Sequence, residues 1–186
     1  MLALYAGQAA VIIDNARLYR ESQRRIEEAE GLRRIAQIAS SALTPDAIFS
    51  QVIAETVRLL DAEKAVVMMV DEPRKLLRAE AASIFGVPPE EARRLRIELD
   101  AGGMDQSVFR TLHPFLSNHA ATDTRLIPAY RPLVERYKIE RIISAPLVIQ
   151  DRGVGEVLVA NRASGDFTES DVHLLSTIAM QCARRA

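Results

Sequence analysis

Residues 115–125 form a weakly periodic segment between strand-like runs, and many of their side chains are polar. Loops carried by a rigid sheet supply most binding groups, so we expect this segment to line a small-molecule pocket. The alternative, above all for Asn118 and Asp123, is hydrogen bonding within the loop itself. The predicted ligand-binding residues are Ser117, Asn118, His119, Thr122, Asp123 and Arg125, with Ser144 from a neighbouring strand.

Side chains suited to catalysis or metal binding are scarce. Cys182 is the only cysteine and falls on the apolar side of the last predicted helix, and no serine stands in a motif that orients a base. The three histidines, at 113, 119 and 173, are far apart and are better explained as surface or loop-capping residues than as haem or metal ligands. We therefore expect neither an enzyme nor a metal site.

The composition narrows the class of protein. The 186 residues have a formal net charge of −1, which favours neither nucleic acid nor an anionic membrane as a partner. A single cysteine forms no intrachain disulfide, and no apolar run reaches the roughly 20 residues that span a bilayer. These features favour a cytoplasmic setting.

The first residues have the pattern of a pairing helix. From Leu2 to Ile26, apolar residues recur at alternating three- and four-residue steps, and Gln23 is the polar member of this seam. We expect a parallel homodimer through this helix; the alternatives are that it folds back on its own domain or pairs with the helix at 169–186. The phase breaks near Gly31, which indicates either a continuous helix with a stutter or a hinge.

The remaining elements predict an α+β fold, an antiparallel sheet covered by helices on one face. Thr44 caps one helix and Thr168 caps the last, with Asp171 completing a capping-box variant. Short strands lie between these helices, and a turn around residues 151–153 joins the last two. Gly153 and Gly155 are best explained by the positive φ that a hairpin turn requires, rather than by ligand binding.

The two ends of the chain can be aligned with each other. "LLSTIAMQCARRA" (174–186) can be laid over "MLALYAGQAAVII" (1–13) with Leu, two Ala and Gln matching. This similarity suggests a piece of a tandem array. The expected organisation is a linker helix at 1–30, the end of a preceding module, followed by one domain at 31–186.

The stretch "IISAPLVIQDRGVGEVLVANRASGDFTESDVHLLSTIAMQ" resembles the GAF family of small-molecule sensor domains. The segment "GGMDQSVFRTLHPFLSNHAATDTR" is similar to the middle of that family's domain. The resemblance implies a sensory domain in a multidomain signal-transduction protein, with adjacent signalling domains and an unidentified small-molecule ligand that sits between the sheet and residues 100–140. It does not identify a cofactor.

Several properties of individual GAF proteins do not carry over. Cyclic-nucleotide-binding members have a signature that this chain resembles at Asn161-Arg162, Phe167 and Asp171. Two positions differ: Arg162 stands where the signature has lysine, and Val172 stands where it has its final acidic residue. In this chain, Arg162 and Asp171 would instead form a buried charge pair between the sheet and the last helix. Bilin attachment and reduction of free methionine sulfoxide both need cysteines that this sequence lacks. The main rival to a sensor is a ligand-free GAF-like module for dimerisation or signal relay.

Overall fold

The computed structural model describes residues 2–41, 44–92 and 94–183. The side chains of seam residues 2–11, and Ala42 near the phase break, lie outside the described residues. Within the described ranges, one antiparallel sheet has the strand order β3-β2-β1-β6-β5-β4. The strands are β1 (Ala62–Asp71), β2 (Leu76–Phe85), β3 (Arg96–Glu98), β4 (Phe115–Ser117), β5 (Ile142–Ile149) and β6 (Arg152–Arg162).

Six α-helices accompany the sheet in the described part of the chain, and three of them are long. These are α1 (Leu2–Ala39), α2 (Pro45–Leu60), α3 (Pro89–Ala92), α4 (Val108–Thr111), α5 (Arg131–Arg136) and α6 (Glu169–Ala183). Short 3-10 turns lie at Glu72–Arg74, Met104–Gln106 and Pro128–Tyr130. The predicted fold class is confirmed.

Local sequence signals fix the helix starts. The backbone N–H of Ala47 donates to Thr44 Oγ1 at 3.4 Å at the beginning of α2. At α6, the N–H of Thr168 donates to Asp171 Oδ2 at 2.8 Å, and the N–H of Asp171 donates back to Thr168 Oγ1 at 3.4 Å. Both predicted caps are confirmed.

The three long helices cover one face of the sheet. Their core cluster joins Ile35 of α1, Leu60 of α2 and Leu175 of α6 to sheet residues such as Val67 and Val159. Each of these side chains is fully buried. Burial of this apolar surface supplies the main driving force for the α+β packing.

The opposite face is covered by the irregular segment 86–140 and its short helices. A second apolar cluster there includes Met68, Leu77, Met104, Phe109 and Leu158. The sheet is therefore buried on both faces. Alternate residues of β6 accordingly face two different cores, one built from helices and one from connecting segments.

Helix α1 runs through Gly31 without a break, so it is a continuous helix rather than two helices hinged at this residue. Gly31 is buried, and a Cβ there would collide with the side chain of Leu59. The glycine lets α1 approach α2 closely. The described side chains of the N-terminal seam are exposed, with 68% of Ile12 and 67% of Tyr19 accessible.

The hairpin between β5 and β6 corrects one interpretation. Positive φ occurs at Gln150 and Asp151, with φ of 47° and 60°, and neither Gly153 nor Gly155 has a positive φ. A Cβ on Gly153 would instead meet the carbonyl oxygen of Phe109, and one on Gly155 would meet that of Met68. These glycines permit close backbone approach, so their turn role was predicted incorrectly.

Candidate functional site

A mainly apolar cavity with a few polar lining residues lies between the sheet and the connecting segment 106–130. Its volume is about 40 Å³. Strands β5 and β6 form its floor, and residues of the Met104–Gln106 turn, α4 and the following loop form its walls. The polar residues that line it are Gln106, Ser107, Arg125, Tyr130, Ser144 and Glu156.

Glu156 is the central polar group of this cavity. It lies in the middle of β6, paired with Pro146 of β5 and Met68 of β1, and it is fully buried. The Tyr130 hydroxyl donates a short hydrogen bond to Glu156 Oε1. The second oxygen, Oε2, has no hydrogen-bond partner among the described residues.

Burial dominates the electrostatics of Glu156. Desolvation raises the pKa of this carboxyl to about 7, against the lowering effect of the hydrogen bonds from Tyr130 and from the Phe109 backbone. Burial, and then the nearby Glu156 charge, raise the pKa of Tyr130 well above its ordinary value. Tyr130 therefore stays protonated and acts as a donor to Glu156.

Two serines complete the interior of the cavity. Ser144 lies in β5 opposite Leu158 and is 3% exposed, and its Oγ has no partner among the residues that the structure describes. Ser107 is also buried, but its hydroxyl donates to the carbonyl oxygen of Met104 at 2.6 Å. The cavity thus holds two unsatisfied oxygen atoms, one on Ser144 and one on Glu156.

Arg125 lies at the solvent edge of the cavity. Its guanidinium donates to both oxygens of Asp123, at 3.0 and 2.6 Å, and to the carbonyl oxygen of Leu116 at 3.0 Å. It also stacks over the Phe115 ring at 5.5 Å. The Arg125 hydrogen bond, assisted by the Ser117 hydroxyl, holds the pKa of Asp123 well below its usual range despite partial burial. Asp123 therefore already neutralises this cation.

A second cavity of about 50 Å³ adjoins the first one and is lined almost wholly by apolar side chains. Tyr130, Ile142 and Leu158 line both cavities. The Tyr130 ring thus lines both cavities, and Glu156 and Ser144 line only the first. A displacement of this ring would connect the two.

Among the other predicted binding residues, Asn118 bonds to the segment before α6, and Ser117 and Thr122 bond within their own loop. The amide of Asn118 donates to the carbonyl oxygen of Phe167 at 3.0 Å, and its Oδ1 accepts from the N–H of Phe167 at 2.9 Å. Ser117 Oγ accepts from the N–H of His119, and the Thr122 hydroxyl donates to the carbonyl oxygen of His119. Of the seven predicted residues, the structure brings Arg125 and Ser144 to the cavity wall.

Sequence reasoning missed Glu156, Tyr130 and Ser107. The available signal was the glutamate inside "GEVLVAN", a charged residue in a strand whose next residue on the same face, Leu158, is apolar. Tyr130 follows a proline in a polar stretch without a clear period, and no local pattern marks it as buried. Its position depends on contacts with residues distant in sequence.

A second buried carboxylate lies on the helix side of the sheet. Asp171 is 1% exposed and accepts from Arg162 Nη1 at 2.7 Å and from Arg24 Nη2 at 2.9 Å. The Thr168 hydroxyl donates to Asp171 Oδ2 at 2.7 Å. The predicted pair of Arg162 and Asp171 is confirmed, and Arg24 extends it to α1.

Cys182 and the three histidines form no hydrogen bond or ion pair with Glu156 or Asp171 among the described contacts. Cys182 is 1% exposed on the apolar face of α6, and burial raises the pKa of its thiol to about 12. All three histidines are exposed. In the described part of the chain, no three His, Cys, Asp or Glu side chains are grouped so as to hold a metal ion. None of the described helices combines the length and apolarity needed to cross a membrane.

Comparisons with known proteins converge on one family. A family model described as GAF domain matches residues 42–184. A search of curated proteins gives no match. The fold is similar to the GAF domain of a phosphoenolpyruvate-protein phosphotransferase from Coxiella burnetii, with a TM-score of 0.72 and 18% identity over 86% of this chain and 92% of that one.

Two further solved structures have different activities in their names. Residues 122 to 287 of a methyl-accepting chemotaxis protein give a TM-score of 0.65 and 18% identity, covering 81% of this chain and 93% of that one. Free methionine-R-sulfoxide reductase from Neisseria meningitidis, solved with its substrate, gives a TM-score of 0.67 and 16% identity. The match covers 85% of this chain and 87% of that one. At these identities the likeness establishes a shared fold.

Proposed function

The chain belongs to the GAF domain family, and we propose that it senses a small molecule in the cavity beside Glu156 and relays occupancy through its terminal helices. Related GAF domains are sensory and regulatory parts of signalling proteins, as the chemotaxis neighbour illustrates. The ligand would enter between the sheet and residues 106–130. The parent protein would carry further signalling domains.

The observation that carries this proposal is the pair of unsatisfied oxygens in the cavity. Buried polar groups are normally hydrogen-bonded, and leaving one unpaired costs about 1 to 3 kcal/mol. Ser144 Oγ and Glu156 Oε2 both lack a partner among the described residues and both border the same void. A ligand that bonds to both groups would recover that cost on binding.

The proposed relay follows strand β6 to the helix side of the sheet. Glu156 and Arg162 lie on this same strand, and Arg162 bonds to Asp171 at the start of α6. Asp171 also bonds to Arg24 in α1. A shift of β6 on ligand binding would therefore act on both terminal helices through one carboxylate.

We further propose that the domain binds its ligand without transforming it. The neisserial reductase shares the fold, but the only thiol of this chain is buried in α6, on the opposite side of the sheet from the cavity. A buried thiol with a raised pKa is a poor nucleophile at neutral pH. Turnover of free methionine sulfoxide that is lost in Cys182→Ser would refute this proposal.

The direct experiment identifies what the protein carries. Protein purified under native conditions is denatured, and the released small molecules are analysed by mass spectrometry beside a Ser144→Ala, Glu156→Gln double variant. We expect a compound present in stoichiometric amount in the wild type and depleted in the variant. Equal recovery from both proteins would place the ligand elsewhere, and recovery from neither would favour a ligand-free module.

A second candidate function, dimerisation and signal relay, is favoured by the exposed seam of α1. Ile12, Tyr19 and Ile26 are 68%, 67% and 48% exposed, and they lie at alternating coiled-coil spacings with Ala16 and Gln23 between them. An exposed apolar stripe of this length is typical of an interaction surface. We propose a parallel homodimer through this seam, which is compatible with ligand sensing.

The oligomeric state tests the dimer separately from the cavity. Ile12→Glu combined with Ile26→Glu places charges in the seam and should convert a dimer to a monomer in light scattering. Leu18→Glu combined with Arg25→Glu changes exposed positions on another side of the same helix and should leave the dimer intact. A wild-type protein that is monomeric at tens of micromolar would refute the dimer.

A further inference from the structure

We infer that the cavity beside Glu156 binds a small primary amine as its ammonium ion, with the ammonium between Glu156 and Ser144 and a short apolar group against the surrounding side chains. This inference rests on the proposed ligand-binding function and specifies the chemical class of the ligand. It follows from the hydrogen-bond inventory, the charge balance and the size of the cavity.

The hydrogen-bond inventory favours a ligand with several donors. Glu156 Oε2, when ionised, only accepts, and Ser144 Oγ can accept while its proton turns elsewhere. An ammonium group carries three N–H donors and no acceptor. One such group can therefore satisfy both orphan oxygens, whereas a carboxylate ligand would present a third acceptor to them.

The charge balance also favours a cation. A buried carboxylate needs an opposite charge to remain ionised, and Glu156 has only the neutral Tyr130 hydroxyl and the Phe109 backbone as partners in the described structure. The one cationic side chain lining the cavity, among the described residues, is Arg125, and Asp123 holds it with both oxygens. An anionic ligand would meet the like charge of Glu156, a fully buried carboxylate.

The cavity dimensions limit the rest of the ligand. A cavity volume of about 40 Å³ favours a small ligand when Tyr130 keeps its position. The remaining walls are mainly apolar and include Phe115, Leu126 and Leu158. A two- to three-carbon chain fits these walls better than a second polar group would.

Binding of an ammonium ion couples to the ionisation of Glu156. Burial raises the pKa of this carboxyl to about 7, so the ionised form that an ammonium requires becomes the main form only above neutral pH. The other titratable and charged groups around the cavity are Tyr130, which burial keeps protonated, and the Arg125 and Asp123 pair at its edge. Affinity for the amine should therefore rise between pH 5.5 and pH 8.

The experiment uses three probes on the full chain, each with three carbon atoms: n-propylamine, 1-propanol and propionate. Binding is followed by two-dimensional amide NMR, in which site-specific shifts of Ser144, Glu156 and their strand neighbours locate the probe. We expect n-propylamine to bind at pH 8 and to bind about tenfold or more weakly at pH 5.5. Propionate should leave these resonances unchanged.

Two variants make the test specific. Glu156→Gln keeps the shape of the side chain but removes its charge, and it should weaken n-propylamine about tenfold or more because the lost hydrogen bond is to a charged group. Glu140→Gln removes an exposed glutamate at the other end of the sheet and should bind like wild type. The amide spectrum of each variant verifies that the fold is retained.

The outcomes separate this inference from the proposed function. Propionate or propanol binding at least as tightly as the amine would overturn the inference, as would an unchanged affinity in Glu156→Gln or the absence of binding by all three probes. A co-purified anionic or neutral ligand that is lost from the Ser144→Ala, Glu156→Gln variant would also overturn it, while leaving the sensory function in place. A co-purified amine lost from that variant would support both.

Discussion

Two buried carboxylates lie on opposite faces of the sheet, and their surroundings differ. Asp171, on the helix face, accepts hydrogen bonds from two arginines and from Thr168. Glu156, on the other face, accepts from Tyr130 and retains an oxygen without a partner among the described residues. The first carboxylate is fully used by the fold, whereas the second is available to a ligand.

This difference separates stability from function within one sheet. A satisfied buried charge positions the elements around it, and here it ties α1 and α6 to the end of β6. An incompletely satisfied buried carboxyl lowers stability when it ionises, and such groups are concentrated at functional sites. The two faces should therefore respond oppositely when each carboxylate is replaced by its amide.

Asp171→Asn should have the largest effect on stability. It removes the negative charge that pairs with Arg162, whose side chain is only 16% exposed. Breaking a buried ion pair typically costs about 3 to 5 kcal/mol. Urea denaturation followed by circular dichroism measures the loss. Asp166→Asn is the matched control, because its bond to Arg141 is solvent-exposed and should contribute about 1 kcal/mol or less.

A loss in Asp171→Asn no greater than in the control would remove the contrast between the faces. The helix-side carboxylate would then be as dispensable as a surface ion pair. The proposed relay through α6 would lose its structural basis as well.

Glu156→Gln should change the unfolding free energy in the opposite direction above neutral pH, stabilising the protein relative to wild type. The carboxyl is protonated in both folded and unfolded chains well below pH 4.5, and between pH 4.5 and about 7 the unfolded chain ionises while the folded one does not. Wild-type stability should therefore fall over this interval by about 3 kcal/mol from this group, and the amide should not share that fall.

The measurement is the difference in unfolding free energy between Glu156→Gln and wild type across pH 4 to 8. We expect this difference to move in favour of the variant as pH rises, and to level off above about pH 7.5. The exposed Glu140→Gln variant should give a flat difference. A flat profile for Glu156→Gln would mean that this carboxyl ionises as easily as a solvated one.

The elements of this fold could be predicted from the sequence because their signals are local. Thr44, and Thr168 with Asp171, act within one helical turn. The charge pair of Arg162 with Asp171 was also accessible, since nine residues separate its members. The correct predictions concern contacts between residues that are close together in sequence.

The cavity beside Glu156 could not be predicted from the sequence, because no local pattern marks the residues that form it. A strand with one solvated face should alternate polar and apolar residues, and Glu156 alone would then be expected to face water. It is buried because residues 104–130 cover this face, a fact set by long-range packing. Gly153 and Gly155 were misjudged for the same reason, since the backbone groups that they approach belong to other elements.

Asn118→Ala should have an intermediate effect, because this side chain joins the two faces. It bonds to both the N–H and the carbonyl oxygen of Phe167, immediately before α6. Removing it leaves these backbone groups unpaired, so we expect a loss of about 2 kcal/mol in urea denaturation. His119→Ala, at the exposed neighbouring position, should change stability by less than about 0.5 kcal/mol. A neutral Asn118→Ala would free this residue for the ligand role that its sequence context suggested.

The smallest effect on stability should come from Arg24→Gln, which tests the relay between the two faces. The Arg24 side chain is 45% exposed, so its bond to Asp171 should contribute about 1 kcal/mol or less. Its role in our proposal is instead to connect Asp171 to α1. In the ligand-loaded protein, Arg24→Gln should leave ligand affinity unchanged but abolish any ligand-induced shift in the amide resonances of residues 12–24. Arg17→Gln, which removes an exposed ion pair on the same helix, should preserve that shift. A ligand response in α1 that persists without Arg24 would show that occupancy reaches this helix by another route, and the contrast between the faces would then concern stability alone.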